Sequence, residues 1–361
     1  MKSPYVNGLE ANQNLSGIFL VQFKDVRQKK SGEPYLSLIL ADKTGDIEAK
    51  MWDNVAEVID TFEKDDFLKV KGLSQVYQNK LQVTIHRLQK ADDREVDLAD
   101  FFPASKRNAD EMFAEVRGIV EEFTNPHLKA LLNALFDDEQ IAQAYKMAPA
   151  AKTIHHAWLS GLIEHVLSLC TLAKMTAAHY PAVDRDLLMT GVLLHDIGKI
   201  HELTYQRSFG YSNDGQLLGH IIIALRMLDE KIRQVPDFPH KLRTLVEHMI
   251  ISHHGELEYG SPKTPLFLEA LLLHHLDNLD SKMEAMRSMI ERDKQIEGCW
   301  TGWSNALDRS ALKKDKYLLD TPEPKPTAST PAPAPAQATG KPAPRSQNSI
   351  FGDKLSSALK G

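Results

Sequence analysis

The hydrophobic pattern of this 361-residue chain changes period once, at about residue 104, and no other feature of the sequence constrains the fold as strongly. Before that point, residues 14–90 alternate apolar and polar side chains, as strands do when one face is buried. After it, apolar residues recur at the three- and four-residue spacing of helices, as in "ADEMFAEVRGIVEEF". We therefore predict an α+β protein, with a β domain over residues 14–92 and an all-α domain over residues 93–320.

Five strand-like segments and one short helical segment make up the β domain. In chain order they read "LSGIFLVQFKDV", "PYLSLILAD", "IEAKMW", the helical "NVAEVIDTF", "FLKVKGLSQVY" and "KLQVTIHRL". A helix between the third and fourth of five strands predicts an OB-fold β-barrel, a fold that commonly holds single-stranded nucleic acid on its central strands and loops.

The candidate nucleic-acid contacts of this barrel are a basic loop and two aromatic rings. The loop "RQKKSGE" supplies Arg27, Lys29 and Lys30 for the sugar–phosphate backbone, and Tyr35 and Trp52 are candidates for base stacking. The alternative is that the rings belong to the barrel core and the loop is simply solvated.

The two ends of the chain differ from the domains. Residues 1–13 form an N-terminal extension, and residues 321–361 hold eight of the 18 prolines with few large apolar side chains. Such a composition cannot bury enough surface to fold, so we predict a disordered Pro/Ala-rich tail. Its last stretch, "NSIFGDKLSSALKG", regains apolar residues and is either a docking segment for a protein partner or a frayed end.

Composition excludes several classes of protein. The sequence has no apolar run of about 18 residues and no apolar segment of a secretory signal near its start, so we expect no membrane partner. Its two cysteines form no disulfide framework, which together with the missing signal favours a cytoplasmic location.

Seven potential metal ligands lie within or beside apolar helical runs. A single histidine in such a run is usually a satisfied core residue, but buried imidazoles and carboxylates in this number are costly without partners, and a metal ion satisfies several at once. These candidate ligands are His165, His195, Asp196, His220, His253, His254 and Asp277.

The chemistry of this set indicates which metal and how many ions. Imidazole and carboxylate without thiolate suit Mn²⁺, with Co²⁺, Fe²⁺ and Ni²⁺ as alternatives. Seven ligands are too many for one ion that keeps open positions, so we expect two divalent ions that share a carboxylate.

The order H…HD…H…HH…D resembles the HD phosphohydrolase superfamily, and the closer resemblance is to the YhaM family of 3′→5′ exoribonucleases, which joins an OB-fold to an HD domain. The stretches "SGLIEHVLSL", "GVLLHDIGK", "LLGHIII", "SHHGELEYGSPKTP", "LDNLDSKM" and "PYLSLILADKTGDIEAKMWDN" carry it, within roughly residues 14–315. The resemblance implies an HD-domain helical bundle that releases nucleoside 5′-monophosphates from the 3′ end of single-stranded RNA, with single-stranded DNA as an additional candidate substrate.

The resemblance also implies a division of the ligands. One ion would take His165, His195, Asp196 and Asp277. The other would take His220, His253 and His254, with Asp196 as the bridge. Two lysines are candidate phosphate contacts: Lys199, four residues after His195 on the same helix face, and Lys263 in the "GSPK" loop. For each, the alternative is an ordinary surface lysine.

Two other functions remain open at this stage. The same pair of ions would serve a nucleotide or cyclic-nucleotide phosphohydrolase, although such an enzyme has no evident use for an OB-fold. A non-catalytic nucleic-acid-binding regulator is disfavoured because the whole ligand set is present. The preference for RNA or DNA and the oligomeric state, a homo-oligomer included, are left open.

Overall fold

The computed structural model describes residues 4–152, 156–205, 207, 209–293, 298–305 and 307–319. The predicted tail, residues 321–361, lies outside the described residues, as do the first three residues of the predicted N-terminal extension. The predicted fold class is confirmed, with a closed five-stranded barrel followed by a helical region.

The barrel consists of five strands that close in the order β1-β2-β3-β5-β4. The elements are β1 (Asn14–Gln28), β2 (Pro34–Asp42), β3 (Gly45–Met51), α1 (Val55–Val58), β4 (Phe67–Tyr77) and β5 (Lys80–Lys90). Strands β3 and β5 pair in parallel, and the other pairs are antiparallel. The helix lies between the third and fourth strands, as the sequence predicts.

Alternation in β2 explains how the barrel fills its interior. Leu36, Leu38 and Leu40 are almost completely buried, whereas the intervening side chains are only partly covered. The β4–β5 pairing shifts register at Gly72, where an added Cβ would lie 2.3 Å from the Thr84 carbonyl oxygen. Glycine is required there because the two backbones approach so closely as the sheet curves.

The helical region contains ten helices and a short hairpin among the described residues. They are α2 (Ala109–Glu121), α3 (Pro126–Phe136), α4 (Glu139–Met147), α5 (Gly161–His179), α6 (Arg185–Leu194), α7 (Lys199–Glu202), β6 (Leu203–Thr204), β7 (Gly210–Tyr211), α8 (Asn213–Ile232), α9 (His240–Ser252), α10 (Leu268–Arg292) and α11 (Lys314–Leu319). Helix α11 belongs to a separate compact unit that begins at Lys314, and its side chains are exposed.

Helix α6 lies at the centre of the helical region. It packs against α3, α5, α9 and α10, and every side chain from Asp186 to Leu194 is buried. A helix buried on all sides has no polar face to offer water. The residues that follow its last turn, His195 and Asp196, therefore emerge inside the protein rather than at its surface.

The barrel and the helical region pack directly on each other. The rings of Phe67 and Phe101 lie 4.7 Å apart, and those of Phe102 and Phe209 lie 5.2 Å apart. Arg207, between β6 and β7, forms an ion pair with Asp66 of the barrel. None of the described helices has the length and apolar character that crossing a membrane requires.

Candidate metal centre and nucleic-acid face

The structure brings all seven predicted ligands together from five parts of the helical region. His165 lies in the second turn of α5, His195 and Asp196 follow α6, and Asp277 lies in α10. His220 lies in α8, while His253 and His254 follow α9. The ligand atoms of His165, His195 and Asp277 lie within 4.8 Å of one another, and so do those of His220, His253 and His254.

Asp196 lies between these two groups, with one carboxylate oxygen toward each. Its Oδ2 is 3.4 Å from Nε2 of His195 in the first group. Its Oδ1 is 3.5 Å from Nε2 of His220 and 3.7 Å from Nε2 of His253 in the second. A carboxylate in this orientation can bridge two ions.

Two glycines let His220 reach the centre. Gly219 has φ of +72°, a left-handed conformation that breaks α8 and begins its second part at His220. Gly198 lies against the His220 backbone, where an added Cβ would be 2.0 Å from the His220 carbonyl oxygen. Any larger residue at position 198 would push His220 away from Asp196.

Hydrogen bonds at Nδ1 orient four of the histidine rings. His195 and His253 bond the carbonyl oxygens of Val192 and Ile250, at 3.0 and 2.7 Å. His220 and His165 bond carboxylates, at 3.1 Å to Glu202 and 2.8 Å to Asp280. Such bonds fix the tautomer and leave Nε2 as the metal-binding atom.

Glu202 and Asp280 contact predicted ligands, and the sequence analysis did not identify them. Glu202 Oε1 also accepts the backbone N–H of His220 at 2.9 Å, a donor that the break at Gly219 leaves without its helical acceptor. Asp280 also accepts a short hydrogen bond from Ser168. The spacing of Asp280, one turn after Asp277 on α10, was a usable signal, because residues three apart share a helix face.

The donor atoms fit bound cations. Nε2 of His195, His220 and His253 and Oδ1 of Asp196 are buried, and none has a hydrogen-bonding partner within the described part of the chain. Buried polar atoms are nearly always satisfied, so this concentration of unsatisfied nitrogen and oxygen atoms fits bound cations. In the described ranges, the four carboxylates of Asp196, Asp277, Asp280 and Glu202 face one buried ammonium, that of Lys199, and the imidazole of His165, so negative charge in excess is left for metal cations to balance.

The pKa shifts of the buried groups favour the same interpretation. Burial lowers the pKa of His253 far below its usual value, so its ring is neutral and has a lone pair for a metal. Burial would also lower the pKa of His165, but its hydrogen bonds to Asp277 and Asp280 outweigh burial and raise the pKa to about 9. A cation at Nε2 of His165 would therefore displace a proton.

Lys199 is not a surface lysine. Its Nζ donates to Asp196 Oδ2 at 2.6 Å, and its side chain is 12% exposed. Burial would lower the pKa of Lys199, but the charge of Asp196 outweighs it, and the pKa is raised. The lysine is therefore a cation held at the centre.

A cavity of about 240 Å³ opens directly onto this centre. Besides four of the predicted ligands and Lys199, it is lined by three polar residues of α10, which are His274, Asn278 and Ser281. A larger cavity of about 980 Å³ lies between α5 and α10 and includes Asp280 and His156. Its arginines are largely paired, as Arg287 is with Glu284 and Glu291, and we assign it no ligand.

On the barrel, the predicted aromatic residues form a stacked pair. The rings of Tyr35 and Trp52 lie 4.6 Å apart, and Trp52 is 36% exposed. Lys50 Nζ lies 5.9 Å from the Trp52 ring and 5.5 Å from the exposed Tyr77 ring. Lys50 was missed because a single lysine in a strand carries no signal.

The predicted basic residues are less available for contact with the phosphates of a nucleic acid. Arg27 is exposed and paired with Asp25 at 2.7 Å. Lys29 is half-buried between Glu33 and Asp53, at 3.2 and 3.5 Å. Lys30 is exposed on the same loop, and Lys263 is exposed and does not line the cavity at the metal centre.

Family comparisons identify both parts of the chain. Residues 162–282 match the model described as HD domain, and residues 23–91 match the model described as OB-fold nucleic acid binding domain. The chain therefore carries an HD domain behind an N-terminal OB-fold domain. Together the two matches support a nucleic-acid-binding, metal-dependent phosphohydrolase.

Some solved structures resemble part of the chain. The second OB-fold domain of replication protein A from Methanococcus maripaludis is 21% identical, with a TM-score of 0.21 over 25% of this chain and 94% of that chain. The single-stranded DNA binding protein from Thermus aquaticus is 23% identical, with a TM-score of 0.21 over 22% of this chain and 40% of that chain. At TM-scores this low, the similarity to these structures adds nothing to the family matches.

Proposed function

We propose that the protein is a metal-dependent 3′→5′ exonuclease that hydrolyses single-stranded RNA, and single-stranded DNA as a second substrate, to nucleoside 5′-monophosphates. The observation that carries this proposal is the position of Asp196 between two histidine groups in a chain that also has an OB-fold domain. A nuclease of the YhaM type is the function that uses both parts.

In this proposal each of the two groups would hold one divalent ion. His165, His195 and Asp277 would hold the first, His220, His253 and His254 would hold the second, and Asp196 would contribute to both. Such a pair would supply an activated water molecule and balance charge on a phosphoryl group undergoing in-line displacement. The nitrogen and oxygen donors favour Mn²⁺, with Co²⁺, Fe²⁺ and Ni²⁺ as alternatives.

Lys199 has two tasks beside these ligands. Its ammonium offsets the charge of Asp196 and keeps that carboxylate ionised, and its remaining N–H groups face the cavity. There they would donate to a non-bridging oxygen of the scissile phosphate. Because Lys199 is buried and ion-paired, it is already in position before the substrate arrives.

The barrel would hold the strand upstream of the scissile bond. Trp52, stacked on Tyr35 and flanked by Lys50, offers a flat ring beside a positive charge. Every base can stack on such a ring and every nucleotide carries a phosphate, so this contact is independent of sequence. We therefore expect little base preference.

The size of the cavity also favours a nuclease over a mononucleotide hydrolase. At about 240 Å³ it is smaller than the roughly 300–1,000 Å³ that encloses a drug-sized ligand. An enzyme selective for one nucleotide would need a pocket for the base as well as for the sugar and phosphate.

The deciding experiment incubates the protein with Mn²⁺ and 5′-labelled 20-residue strands of RNA and of DNA. We expect a ladder that shortens from the 3′ end and nucleoside 5′-monophosphates as products. Asp196→Asn serves as the inactive control. If free or cyclic nucleotides are hydrolysed while both strands stay intact, the small-molecule phosphohydrolase replaces this proposal.

A further inference from the structure

The cavity at the metal centre has polar side chains that the proposed reaction does not use. His274, Asn278 and Ser281 lie on one face of α10, at the spacing of successive helical turns, and all three line the cavity. Asp277, on the same face, belongs to the ligand groups. The three unused residues therefore share a cavity with the predicted ligands.

Asn278 is the least satisfied of these residues. Its side chain is half-buried, and its amide has no hydrogen-bonding partner among the described residues. An amide both donates and accepts, so a ligand hydroxyl would suit it. Ser281 is less available, because its Oγ lies 3.3 Å from Asp277 Oδ1 and donates to it.

His274 offers the complementary atom. Its Nδ1 donates to the carbonyl oxygen of His253 at 2.9 Å, which leaves Nε2 as the ring nitrogen that can contact a ligand hydroxyl. The ring is held in place over Gly255, where an added Cβ would lie 2.2 Å from His274 Cε1. A fixed ring nitrogen and a side-chain amide thus lie one helical turn apart along one wall.

The geometry points to a sugar-binding subsite: we propose that Asn278 and His274 hydrogen-bond a hydroxyl of the terminal nucleotide's sugar. This inference rests on the proposed nuclease function. The sugar is the group covalently next to the scissile phosphate, so a strand whose phosphate reaches Lys199 brings a sugar to the wall of this cavity. A sugar hydroxyl can accept from the Asn278 amide and donate to His274 Nε2.

Two hydroxyls have this chemistry, and the test separates them. Three 5′-labelled RNA 10-mers end in ribose, 2′-deoxyribose or 3′-deoxyribose, and the rate of the first cleavage is measured under single-turnover conditions with Mn²⁺. The wild-type enzyme should cleave one deoxy-ended strand about tenfold more slowly than the ribose-ended strand, the effect of losing one or two neutral hydrogen bonds.

Asn278→Ala should reduce this discrimination. The variant should cleave the ribose-ended strand several-fold more slowly than the wild type and the affected deoxy-ended strand at about the wild-type rate, because one of the two partners of the hydroxyl is gone. Alanine favours helix, so α10 should be retained. Lys282→Ala, an exposed change on the same helix, is the matched control, and metal content should match the wild type in both variants.

The results separate this inference from the function on which it rests. A wild-type enzyme that cleaves all three strands equally overturns the subsite and leaves the nuclease intact. The subsite is likewise overturned if Asn278→Ala slows all three strands in parallel and keeps the wild-type selectivity. If the wild type shortens none of the strands, both proposals fail together.

Discussion

At the scale of single residues, the site depends on carboxylates that each contact more than one partner. Asp196 faces His195 through one oxygen, and His220 and His253 through the other. Burial would raise the pKa of Asp196, but the charge of Lys199 and the neighbouring rings outweigh burial and hold the pKa well below its usual range. Changes at these positions should therefore affect metal binding before they affect folding.

Replacing Asp196 by asparagine should remove bound metal and hydrolysis together. The amide keeps the shape of the side chain but loses the charge that both ligand groups share, so we expect turnover to fall by at least about a thousandfold. Metal content by mass spectrometry and turnover on a 5′-labelled strand are the measurements. Asp214→Asn, an exposed aspartate in the first turn of α8, is the control. Full metal content with near-normal turnover would remove Asp196 from the bridging position.

Glu202→Gln should lower the affinity for one of the two metal ions and leave the affinity for the other unchanged. Glu202 orients His220 through both its ring and its backbone N–H, and loss of such a supporting carboxylate typically costs about 10–100-fold in metal affinity. Titration calorimetry should show one site weakened and the other unchanged, with Glu139→Gln as an exposed control. Equal weakening of both sites would indicate that the two groups do not act as separate ligand sets.

At the scale of elements, helices α5 and α10 are connected through the ring of His165. Its Nε2 lies 3.2 Å from Asp277 and its Nδ1 lies 2.8 Å from Asp280, so both contacts cross from α5 to α10. The same ring is a predicted metal ligand, so the connection between these helices depends on which cation, proton or metal, the ring carries.

In metal-free protein, this connection should weaken as the pH rises. The pKa of His165 is raised to about 9 in the folded protein, whereas an unfolded histidine has a pKa of about 6.5. A raised folded-state pKa gives stabilisation that is complete below about pH 6.5 and is lost as the pH rises through 9. Urea unfolding after chelation should therefore show a difference between wild type and His165→Gln that shrinks from pH 6 to pH 9.5. A difference that stays constant would mean that the ring is not protonated between the two aspartates.

At the scale of the whole molecule, the proposed chemistry and the proposed strand-binding face lie in different domains. All predicted metal ligands lie in the HD domain, and the Tyr35–Trp52 pair lies on the barrel. Substitutions on the barrel should therefore lower the affinity for a long strand without changing the rate of attack at a phosphorus atom in the HD domain.

The double substitution Lys50→Ala and Trp52→Ala should raise KM for a 20-residue strand about tenfold or more, since one base–aromatic stack contributes about 1–3 kcal/mol. Hydrolysis of bis(p-nitrophenyl) phosphate should be unchanged, because that small diester reaches the metal centre without the barrel. Lys71→Ala with Arg87→Ala, both exposed on β4 and β5, is the control for loss of charge. An unchanged KM in a folded variant would mean that strands do not bind to this face.

Much of the fold could be predicted from the sequence because it depends on local periodicity. The predicted segment "PYLSLILAD" coincides with β2, since alternate side chains must be buried for a strand to cover the barrel interior. The buried face of α2, formed by Met112, Val116, Ile119 and Val120, follows from helical spacing in the same way. The histidines and aspartates within apolar helical segments could likewise be identified from the sequence as buried polar groups that need a metal ion or another polar partner.

The contacts between individual side-chain atoms of the site depend on tertiary packing and could not be predicted from the sequence. Asp277 and Asp280 are equivalent on the helix, yet the packing of α10 on α5 places one at Nε2 of His165 and the other at Nδ1. From the sequence, Lys199 was either a phosphate contact or an ordinary surface lysine. The turn after α6 places it against Asp196, which excludes the surface lysine. Lys29, a candidate for phosphate, is instead held between two carboxylates. Periodicity specifies the buried face of each element, but hydrogen bonds and metal sites need atoms placed to within a few tenths of an ångström, and only the mutual packing of the helices supplies that precision.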